Sequence, residues 1–505
     1  MASNSTSLDR HILAITEPTI KLDPMKFEDM HEGDNKSTKQ SRENGSWAPY
    51  IKINNIPIEP GEITSFILNT SGFIPSISFV FDDLKKTFHL DSLPRDGDVI
   101  NVRITSRQED TFKDIRADFD ITSFRGTSTT NTNPNEARTY IVNGVLKVPE
   151  LNAEACFSYP TGTSVEHLKK IATELKLGFA SNVDASDDKM TRLCPYISKN
   201  NFIRDIISHS YVDDDSFQVG NIDPYYYLNF VNLNKVFNSH NELENTLVNM
   251  FGTDFNVTPK DGNDLNKIKA QMVLSNHLDW GGSSQYIASY QIINNSTAIS
   301  LSNGYSRKLQ YFENNSKENL VTFDVQALSS KKMKELEEPL KGRRDEDRYK
   351  KEVKQKYVGR IDADPQHGNI NHNYFFASIH NKMNLGEVNK MKLEVHLETI
   401  NPGLYRYMKI PVLIFSQARE ENTMNKHVTK FKEDKGFASE GKEFNAKNED
   451  PGDLKNINQQ SINELLSGFY IIDEINYIYD PNHPSLFYQT LTLLRREWPS
   501  RLNNL

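Results

Sequence analysis

The sequence predicts a β-rich α+β protein in which two antiparallel β-barrel domains flank a smaller α+β module. Short segments that alternate apolar and polar residues between turn residues occupy both ends of the chain, as is typical of antiparallel sheets. Two amphipathic helical patterns and a hairpin pattern lie between these ends. Aromatic residues make up 10% of the 505 residues. They supply enough ring surface to build cores, although only 37% of the chain is apolar.

The first β-region is predicted over residues 47–155. Its first strand alternates from Tyr50 to Asn54, and turn residues separate the strands that follow. In the last strand, Asn143-Gly144 fits either a hairpin turn or a bend. Six or more short strands favour a small antiparallel barrel or sandwich. The further strands are predicted at 62–69, 76–81, 98–104, 115–124 and 140–146.

The α+β module is predicted over residues 156–240. Apolar residues recur at helical spacing between residues 164 and 175, and Ser164 is expected to cap this helix. A second helical pattern runs from 200 to 210. The hairpin that follows is predicted from strands at 216–220 and 225–231.

The second half of the chain is predicted as a mixed β-region, residues 241–390, followed by the second β-barrel domain, residues 391–505. The mixed region shows its clearest strand patterns at 300–308 and 319–326. The barrel domain is predicted from strands at 391–397 and 408–415 and a closing hairpin of 468–477 and 488–494.

Three polar stretches interrupt or precede these regions. Residues 1–46 are predicted to be a mobile arm, or an arm that orders only on a partner. Residues 331–360 hold 12 Lys and Arg against 7 Asp and Glu. They predict a charged, solvated helical insert, with a contact to nucleic acid as the alternative. Residues 418–460 form a second, Asn-rich polar insert.

A faint internal similarity links the two ends of the chain. The segment from Thr139 to Leu146 resembles the segment from Phe469 to Asn476. Two related barrels would explain this similarity. Convergent strand alternation explains it equally well, so both interpretations stay open.

Charge and composition exclude several classes of protein. With 59 Lys and Arg against 68 Asp and Glu, the net charge of −9 argues against a general nucleic-acid binder, which needs a basic face. No segment approaches the ~20 consecutive apolar residues that span a bilayer, and the first residues lack a secretory signal pattern. Cys156 and Cys194 stand far apart without a CxxC context. We expect two free thiols in a reducing cytosol, where the chain is made.

No sequence pattern predicts catalysis. The GxSxG, GxxxxGK[ST], GxGxxG and HExxH motifs are absent. Cys194 with His209 could form a nucleophile and base, but no neighbour of Cys194 would activate the thiol, which favours a buried structural residue. The sequence therefore predicts a non-enzymatic protein without catalytic or cofactor-binding residues.

Three further clusters have both a functional and a structural interpretation. His367, His372 and His380 could bind a metal, but their spacing favours a polar loop. The acidic run 213–215 lacks the spacing of a calcium loop and favours a turn. The tyrosines at 225–227 could stack on sugars or bases, and core or interface packing is the favoured interpretation. No metal ligands are predicted.

Several segments, in their order along the chain, resemble the central baseplate hub proteins of contractile-tailed, T-even-like bacteriophages. The helical segment 164–179 resembles that family's helical element. The segments 201–217 and 225–235 resemble the helix and hairpin that follow it. The closing hairpin of the family is similar to 468–477 together with 491–499.

This resemblance implies a specific architecture and role. Hub proteins of this kind form homotrimers in which each subunit supplies two tube-type antiparallel β-barrels, so that three subunits form a pseudo-sixfold ring. The ring would join the hexameric tail tube protein to the trimeric central spike protein, contact other baseplate proteins, and leave a lumen through which genomic DNA passes without specific binding. The family implies no cofactor and no membrane insertion. It places the protein in the virion tail baseplate after assembly in the host cytoplasm.

The resemblance also directs attention to strands that could form the assembly interface. The candidate interface residues are Tyr140, Val142, Tyr226, Tyr470, Ile472, Leu491 and Leu493. Two alternative functions remain open at this point. One is a tail-associated cell-wall hydrolase, which would need a paired acid and base or a metal site. The other is a module that binds the host surface through exposed tyrosine-rich loops.

Overall fold

In the part of the chain that this computed structural model describes, β-strands outnumber helices. The structure describes residues 13–22, 48–85, 87–88, 92–95, 97–104, 114–127, 138–238, 273–274, 285–296, 298–299, 306–313, 320–326, 353–361, 371, 373–398, 400–401, 403–414, 466, 468–483 and 486–495. The β-rich α+β class predicted from the sequence is confirmed.

The described elements follow one another along the chain in three groups. The first β-region contains β1 (Leu13–Thr16), β2 (Tyr50–Ile53), β3 (Ile56–Ile58), β4 (Ile63–Asn69), β5 (Ser76–Asp83), β6 (Val99–Ile104), β7 (Ile115–Thr127) and β8 (Arg138–Leu146). The module contains β9 (Glu154–Gly162), α1 (Ser164–Glu174), β10 (Gly178–Ser181), β11 (Met190–Ser198), α2 (Lys199–Ser208), β12 (Gln218–Ile222), β13 (Tyr227–Asn232) and α3 (Leu233–Asn238). The remaining elements are β14 (Val273–Leu274), β15 (Gln285–Asn294), β16 (Ser306–Glu313), β17 (Leu320–Gln326), β18 (Val353–Ile361), α4 (Tyr374–Val388), β19 (Met391–Leu397), β20 (Lys409–Leu413), β21 (Gly468–Tyr479) and β22 (Phe487–Leu494).

The chain divides into two units. The first unit comprises Met1–Asn238, Tyr290–Lys409 and Ile471–Arg496, and the second comprises Ser239–Ser289, Ile410–Tyr470 and Glu497–Leu505. Within the second unit, the short strand β14 pairs in parallel with the start of β15 and with β20. Within the first unit, β16 pairs antiparallel with β17 and parallel with β18.

A large sheet in the first unit contains strands from both ends of the sequence. Its strand order is β19-β22-β21-β4-β5-β8-β7-β6-β2-β3. The closing hairpin β21–β22 therefore continues the first β-region through the antiparallel pairing of β21 with β4. The described strands form no closed barrel. The structure thus confirms antiparallel β-regions at both ends of the chain, but it joins them in one sheet.

The interior side of this sheet is aromatic. One cross-strand row runs through Phe487, Tyr479, Phe66, Phe79, Val142 and Phe124. The rings of Phe79 and Phe81 stack with centroids 5.9 Å apart, and both side chains are buried. Tyr479 belongs to the closing hairpin, whereas Phe66 and Phe79 belong to the first β-region. The two regions therefore share a hydrophobic core as well as backbone hydrogen bonds, and burial of such rings is the main stabilising contribution.

The α+β module has its own sheet, with strand order β1-β10-β13-β12, and a two-stranded ribbon of β9 and β11. Helix α1 begins where predicted, but its cap is Thr163 and not Ser164. Glu166 N–H donates to Thr163 Oγ1 and Thr163 N–H donates to Glu166 Oε2, which forms a capping box. Ser164 is buried, and its hydroxyl hydrogen-bonds to Asp188. The sequence pattern could not distinguish these neighbours, because both carry a hydroxyl.

Several other predictions needed correction. Part of the predicted arm is ordered within the chain, since residues 13–16 form β1 on β10. Of the two interpretations of Asn143-Gly144, a hairpin turn or a bend in a strand, the hairpin is wrong, because the pair lies inside the continuous strand β8. A Cβ atom at Gly144 would come within 3.2 Å of the Asp120 carbonyl oxygen, so this close approach of the strands favours a glycine. Residues 353–360 of the predicted helical insert belong to β18; residues 331–352 and the insert 418–460 lie outside the described residues.

Helix α4 is an element that the strand-based interpretation of residues 241–390 missed. Its buried residues include the polar His380, Asn381 and Asn384 beside apolar ones such as Ile379 and Met383, so the inward face is mixed. Asn381 is needed there, because its side-chain amide donates to the carbonyl oxygens of Ser208 and Ser210 at 3.1 and 3.0 Å. A mixed inward face weakens the 3.6-residue apolar period on which helix prediction depends.

Candidate assembly surface

The seven side chains predicted as interface residues are all buried in the chain itself. Each is at most 3% exposed, and the seven are Tyr140, Val142, Tyr226, Tyr470, Ile472, Leu491 and Leu493. Side chains in these positions cannot contact a partner. For Tyr140 and Val142 the physical reason is strand alternation, which turns every second side chain of β8 toward the core. Leu491 and Leu493 lie in β22, which is buried on both faces over most of its length. That these strands take part in an assembly interface stays a prediction.

Tyr140 illustrates the role that these residues have instead. Its ring lies 4.9 Å from that of Phe124 and 5.4 Å from that of Phe81, between ring centroids. Its hydroxyl donates to the Phe88 carbonyl oxygen at 3.4 Å. Tyr140 is therefore a centre of the aromatic core of the first β-region. Such ring pairs stabilise a core beyond the area that they bury.

Tyr226 lies in the turn before β13 and not on a strand. Its backbone is in the left-handed region, with φ of 65°. The Asp118 N–H donates to the Tyr226 hydroxyl at 2.8 Å, and burial raises the pKa of that hydroxyl. Tyr226 therefore ties the module to β7 of the first β-region. A left-handed tyrosine persists only where surrounding contacts fix it, as this hydrogen bond does.

A polar clamp closes the seam between β4 and β21. The Thr70 hydroxyl donates to the Ile475 carbonyl oxygen at 2.9 Å and accepts from the Ile475 N–H at 3.1 Å. The Arg406 guanidinium donates to the carbonyl oxygens of Thr70 and Gly72 at 2.8 and 2.7 Å. These groups are more than 330 residues apart in sequence, and they satisfy backbone atoms at the point where the first β-region meets the last.

Charged side chains extend this clamp across the closing hairpin. Arg406 Nη2 lies 3.7 Å from Asp473 Oδ1, and Lys392 Nζ lies 2.8 Å from Asp473 Oδ2. Burial, and then the neighbouring Asp473 carboxylate, raises the pKa of Glu474. Lys392 and Asp473 are each less than a fifth exposed. The seam is therefore held by partly desolvated charges, for which removal of one partner is costly.

The side of the sheet opposite the aromatic core forms a continuous face, which we call the open sheet face. Two cross-strand rows define it. The first contains Tyr488, Ile478, Ile67, Ser78, Asn143 and Ser123, and the second contains Asn476, Asn69, Ser76, Val145 and Asp120. Ile67 is 40% exposed, and the Asn143 amide donates to the Ser123 hydroxyl at 2.7 Å. The face crosses the seam and includes both β-regions.

The two rows of the open sheet face are nearly uncharged, whereas the next row on the same side of the sheet contains Arg125, opposite Ile141. Of the eleven residues in the two rows only Asp120 has a carboxylic acid side chain, and none is Lys or Arg. Apart from Asp120 and Tyr488, the residues of the rows are Ser and Asn, together with two Ile and one Val. The sequence signal for this face was the alternation Phe66, Ile67, Leu68, in which only Ile67 points away from the core. The predicted interface residues are instead inward-facing residues, which are the more hydrophobic ones.

The groupings that could have suggested catalysis are structural in the described residues. Cys194 is fully buried, its thiol donates to the carbonyl oxygens of Ala155 and Ile197, and burial raises its pKa. The Ser208 hydroxyl and the Asp205 carboxylate both contact Nδ1 of His209, at 3.0 and 3.1 Å. A catalytic triad needs the hydroxyl and the carboxylate on different ring nitrogens. This arrangement caps the end of α2 instead.

The predicted polar clusters have the following outcomes. His380 is buried in α4, where its Nε2 donates to the Ser216 carbonyl oxygen at 3.0 Å, and His367 and His372 lie outside the described residues. Residues 213–215 form a turn. No group of three potential metal ligands occurs among the residues that the structure describes. In that part of the chain, no helix has the length and apolar character needed to cross a bilayer.

No protein-family model and no curated protein matches the sequence. Three solved structures are similar over 89–90% of this chain. They are a tail protein from Neisseria meningitidis MC58 (8% identity, TM-score 0.43, 97% of that chain covered), the 43 kDa tail protein of prophage MuSo2 from Shewanella oneidensis (7%, 0.46, 98%), and an E. coli component of the type VI secretion system described as similar to the T4 tail proteins gp27 and gp5 (8%, 0.38, 77%). Structures similar to this chain are thus phage tail proteins and a gp27-like secretion protein, and at such identities the function has to be derived from the residues of this chain.

Proposed function

We propose that this chain is the structural baseplate hub of a phage tail. Three copies form a pseudo-sixfold ring that adapts the hexameric tail tube to the trimeric central spike and leaves a channel for DNA. The observation that carries this proposal is the seam, at which β21 pairs with β4 and the first and last β-regions share one core. The sequence resemblance of the helical and closing segments to hub proteins gives it independent support.

The seam matters because of symmetry. A closed ring of identical subunits repeats one set of contacts per subunit. Three copies can match a sixfold partner only if each copy contributes two β-regions to the ring. Both β-regions then have to lie at the same level along the ring axis. An antiparallel pairing between the first and last β-regions places them side by side in one sheet. In this proposal each β-region completes a tube-type barrel in the assembled ring.

The open sheet face supports a passive channel. Duplex DNA binds proteins mainly through Lys and Arg contacts to phosphate, and the two rows of the open sheet face contain neither. We assign this face to the wall of the lumen. Neutral hydroxyl and amide groups let DNA pass during genome ejection without specific binding, and the net charge of −9 further opposes retention.

The other parts of the proposal follow from this role. The partners are the tail tube protein, the central spike protein and other baseplate proteins, and the protein resides in the virion tail after assembly in the host cytoplasm. The hub acts without catalysis and without a cofactor. The burial of Cys194 and the geometry around His209 support this assignment. A tail-associated hydrolase or a host-surface binding module would be revealed as outcomes of the experiment below.

The size and shape of the purified protein test the proposal. Light scattering should give a mass of three chains, and end-on electron micrographs should show a ring with a central hole. A monomer that cleaves peptidoglycan would instead establish the hydrolase, and a monomer that binds whole cells would establish the adhesion module. Either result would overturn the hub.

The lumen assignment has its own test. Ser78→Lys puts a cation on the open sheet face, and Ser158→Lys puts the same cation on the exposed side of β9. We expect the Ser78→Lys ring to retain duplex DNA at least about tenfold more strongly than Ser158→Lys in a filter-binding assay, with a steep loss as salt rises. Equal retention by the two variants would show that the open sheet face does not line the channel.

A further inference from the structure

The edge of the module sheet holds a specific slot for an N-terminal segment. Strand β1 pairs antiparallel with β10, with Ala14 opposite Ala180. At the end of the strand, the Phe179 N–H donates to the Thr16 hydroxyl at 3.0 Å, and beyond it the Thr19 N–H donates to the Lys176 carbonyl oxygen at 2.9 Å. The segment of residues 13–20 is thus fixed in register by side-chain as well as backbone contacts.

The slot is shaped for this sequence. A side chain at Gly178 would come within 2.5 Å of the Tyr227 ring and 2.9 Å of Pro18 Cδ. Gly178 therefore leaves the space in which Pro18 and the Tyr227 ring pack. The Tyr227 hydroxyl in turn hydrogen-bonds to the Glu17 carboxylate. Gly178 thus leaves room for Pro18, and Tyr227 binds the preceding Glu17.

The segment buries little surface of its own. Ala14, Ile15, Glu17 and Thr19 are exposed, and Ile15 is 45% exposed although it is aliphatic. The strand is four residues long and lies at the sheet edge among the described strands. An element with few buried contacts undocks at much lower cost than the core strands. The contacts of the slot are therefore specific for the sequence of residues 13–20. They are the same whether the segment belongs to the same copy of the chain or to another copy.

Chain length allows the segment to reach another copy. Residues 23–47, which are 25 residues, separate Leu22 from Ala48, where the first β-region starts. At roughly 3.3–3.6 Å per residue, this stretch spans at most about 90 Å. Every copy carries the same slot and the same segment, so a neighbour's segment makes identical contacts and no slot stays empty in a closed ring.

We propose that, in the assembled ring, residues 13–20 of one copy occupy the β10 slot of a neighbouring copy. This inference rests on the proposed trimer. The exchange ties each subunit to the next by a strand pairing and by the Glu17–Tyr227 hydrogen bond. It makes the N-terminal segment an assembly element of the hub.

Mixed single-cysteine variants test the exchange in the full-length protein. Ala14→Cys and Ala180→Cys are placed in separate, differently tagged chains that also carry Cys156→Ser, which removes the exposed native thiol. The two chains are co-expressed, purified as mixed particles and oxidised. A disulfide between the two tags can form only when the segment of one copy lies in the slot of another. Each single variant alone, and the double variant in one chain, serve as controls.

The outcomes separate this proposal from the hub itself. We expect a two-tag disulfide in a substantial fraction of mixed trimers. If the particles are trimers by light scattering and the double variant links only within its own chain, the exchange is wrong and the hub stands. A monomeric mass overturns the hub. Failure of the double variant to link at all also sinks the proposal, because β1 would then not lie on β10.

Discussion

The first β-region and the closing hairpin belong to the same sheet but are stabilised differently. The strands of the first region, β2 to β8, pair with one another and pack rings such as Phe79 and Phe81 against Tyr140. The hairpin β21–β22 contributes Tyr479 to that core, and it is attached by the clamp of Thr70 and Arg406. The first region is therefore held by packing among its own strands, whereas the hairpin shares the apolar core and is attached in addition by polar contacts between distant parts of the chain.

This difference predicts which part of the sheet unfolds first. Apolar packing contributes in proportion to buried area and responds weakly to salt or pH. Partly buried ion pairs and hydrogen bonds depend on complete partnering and on protonation. The joined sheet should therefore come apart at the seam under conditions that leave the first β-region folded. Variants in the core and in the clamp distinguish unfolding at the seam from unfolding of the whole sheet.

The shared core should be the most sensitive site. Phe66 is fully buried and stands between Tyr479 of the hairpin and Phe79 of the first region. We expect Phe66→Ala to lower the free energy of unfolding by about 3–5 kcal/mol, because it leaves a cavity between the two regions. Chemical denaturation followed by circular dichroism measures this change. Ile67→Ala, the exposed neighbour on the open sheet face, should cost less than about 1 kcal/mol; equal losses would contradict the assigned faces.

Loss of the arginine clamp should come next. Arg406→Met retains the apolar stem but leaves the carbonyl oxygens of Thr70 and Gly72 without their donor. We expect a loss of about 2–3 kcal/mol, because these are hydrogen bonds to a charged group at a partly buried site. The exposed Arg125→Met is the matched control and should be close to neutral. Hydrogen exchange at β21 should rise more than at β5; a uniform rise would show that the clamp does not act on the seam.

The threonine of the seam should have a smaller effect. Thr70→Val preserves shape and removes the hydroxyl that pairs with both backbone groups of Ile475. We expect a loss of about 1–2 kcal/mol. Thr64→Val makes the same change at an exposed site, where the hydroxyl donates to the Val80 carbonyl oxygen. Thermal unfolding should separate the two variants, and an equal midpoint for both would remove Thr70 from the clamp.

The smallest expected effect is a pH dependence at Glu474. Burial and the Asp473 carboxylate raise its pKa above the ordinary value for a glutamate. The folded chain then holds this proton to a higher pH than the unfolded chain does. Stability is therefore lost as pH rises from the unfolded pKa through the folded pKa. We expect Glu474→Gln to raise the unfolding midpoint at about pH 7, by a gain below about 1 kcal/mol, and to match the parent protein at about pH 3.5. The same gain at both pH values would assign the effect to something other than titration.

Local patterns predicted much of the secondary structure. The strands at 391–397 and 319–326, both helices of the module and the closing hairpin all appear close to their predicted bounds. The candidate interface residues are buried in the chain, because they are hydrophobic and such residues face the core. Tyr226 in particular lies in a left-handed turn, and nothing in a run of three tyrosines indicates which one leaves the strand.

Local sequence patterns establish the β-rich class, the alternation of each strand, most of the turns, and the absence of activating neighbours around Cys194. These features depend on residues within a few positions of one another, so a short segment is enough to predict them. It takes the folded chain to show that β21 pairs with β4, that Arg406 and Thr70 close the seam, and that Ile67 and Ser78 share an uncharged face. The seam depends on contacts between residues more than 300 positions apart. Many alternative strand pairings satisfy the same alternation, so register and packing had to choose among them.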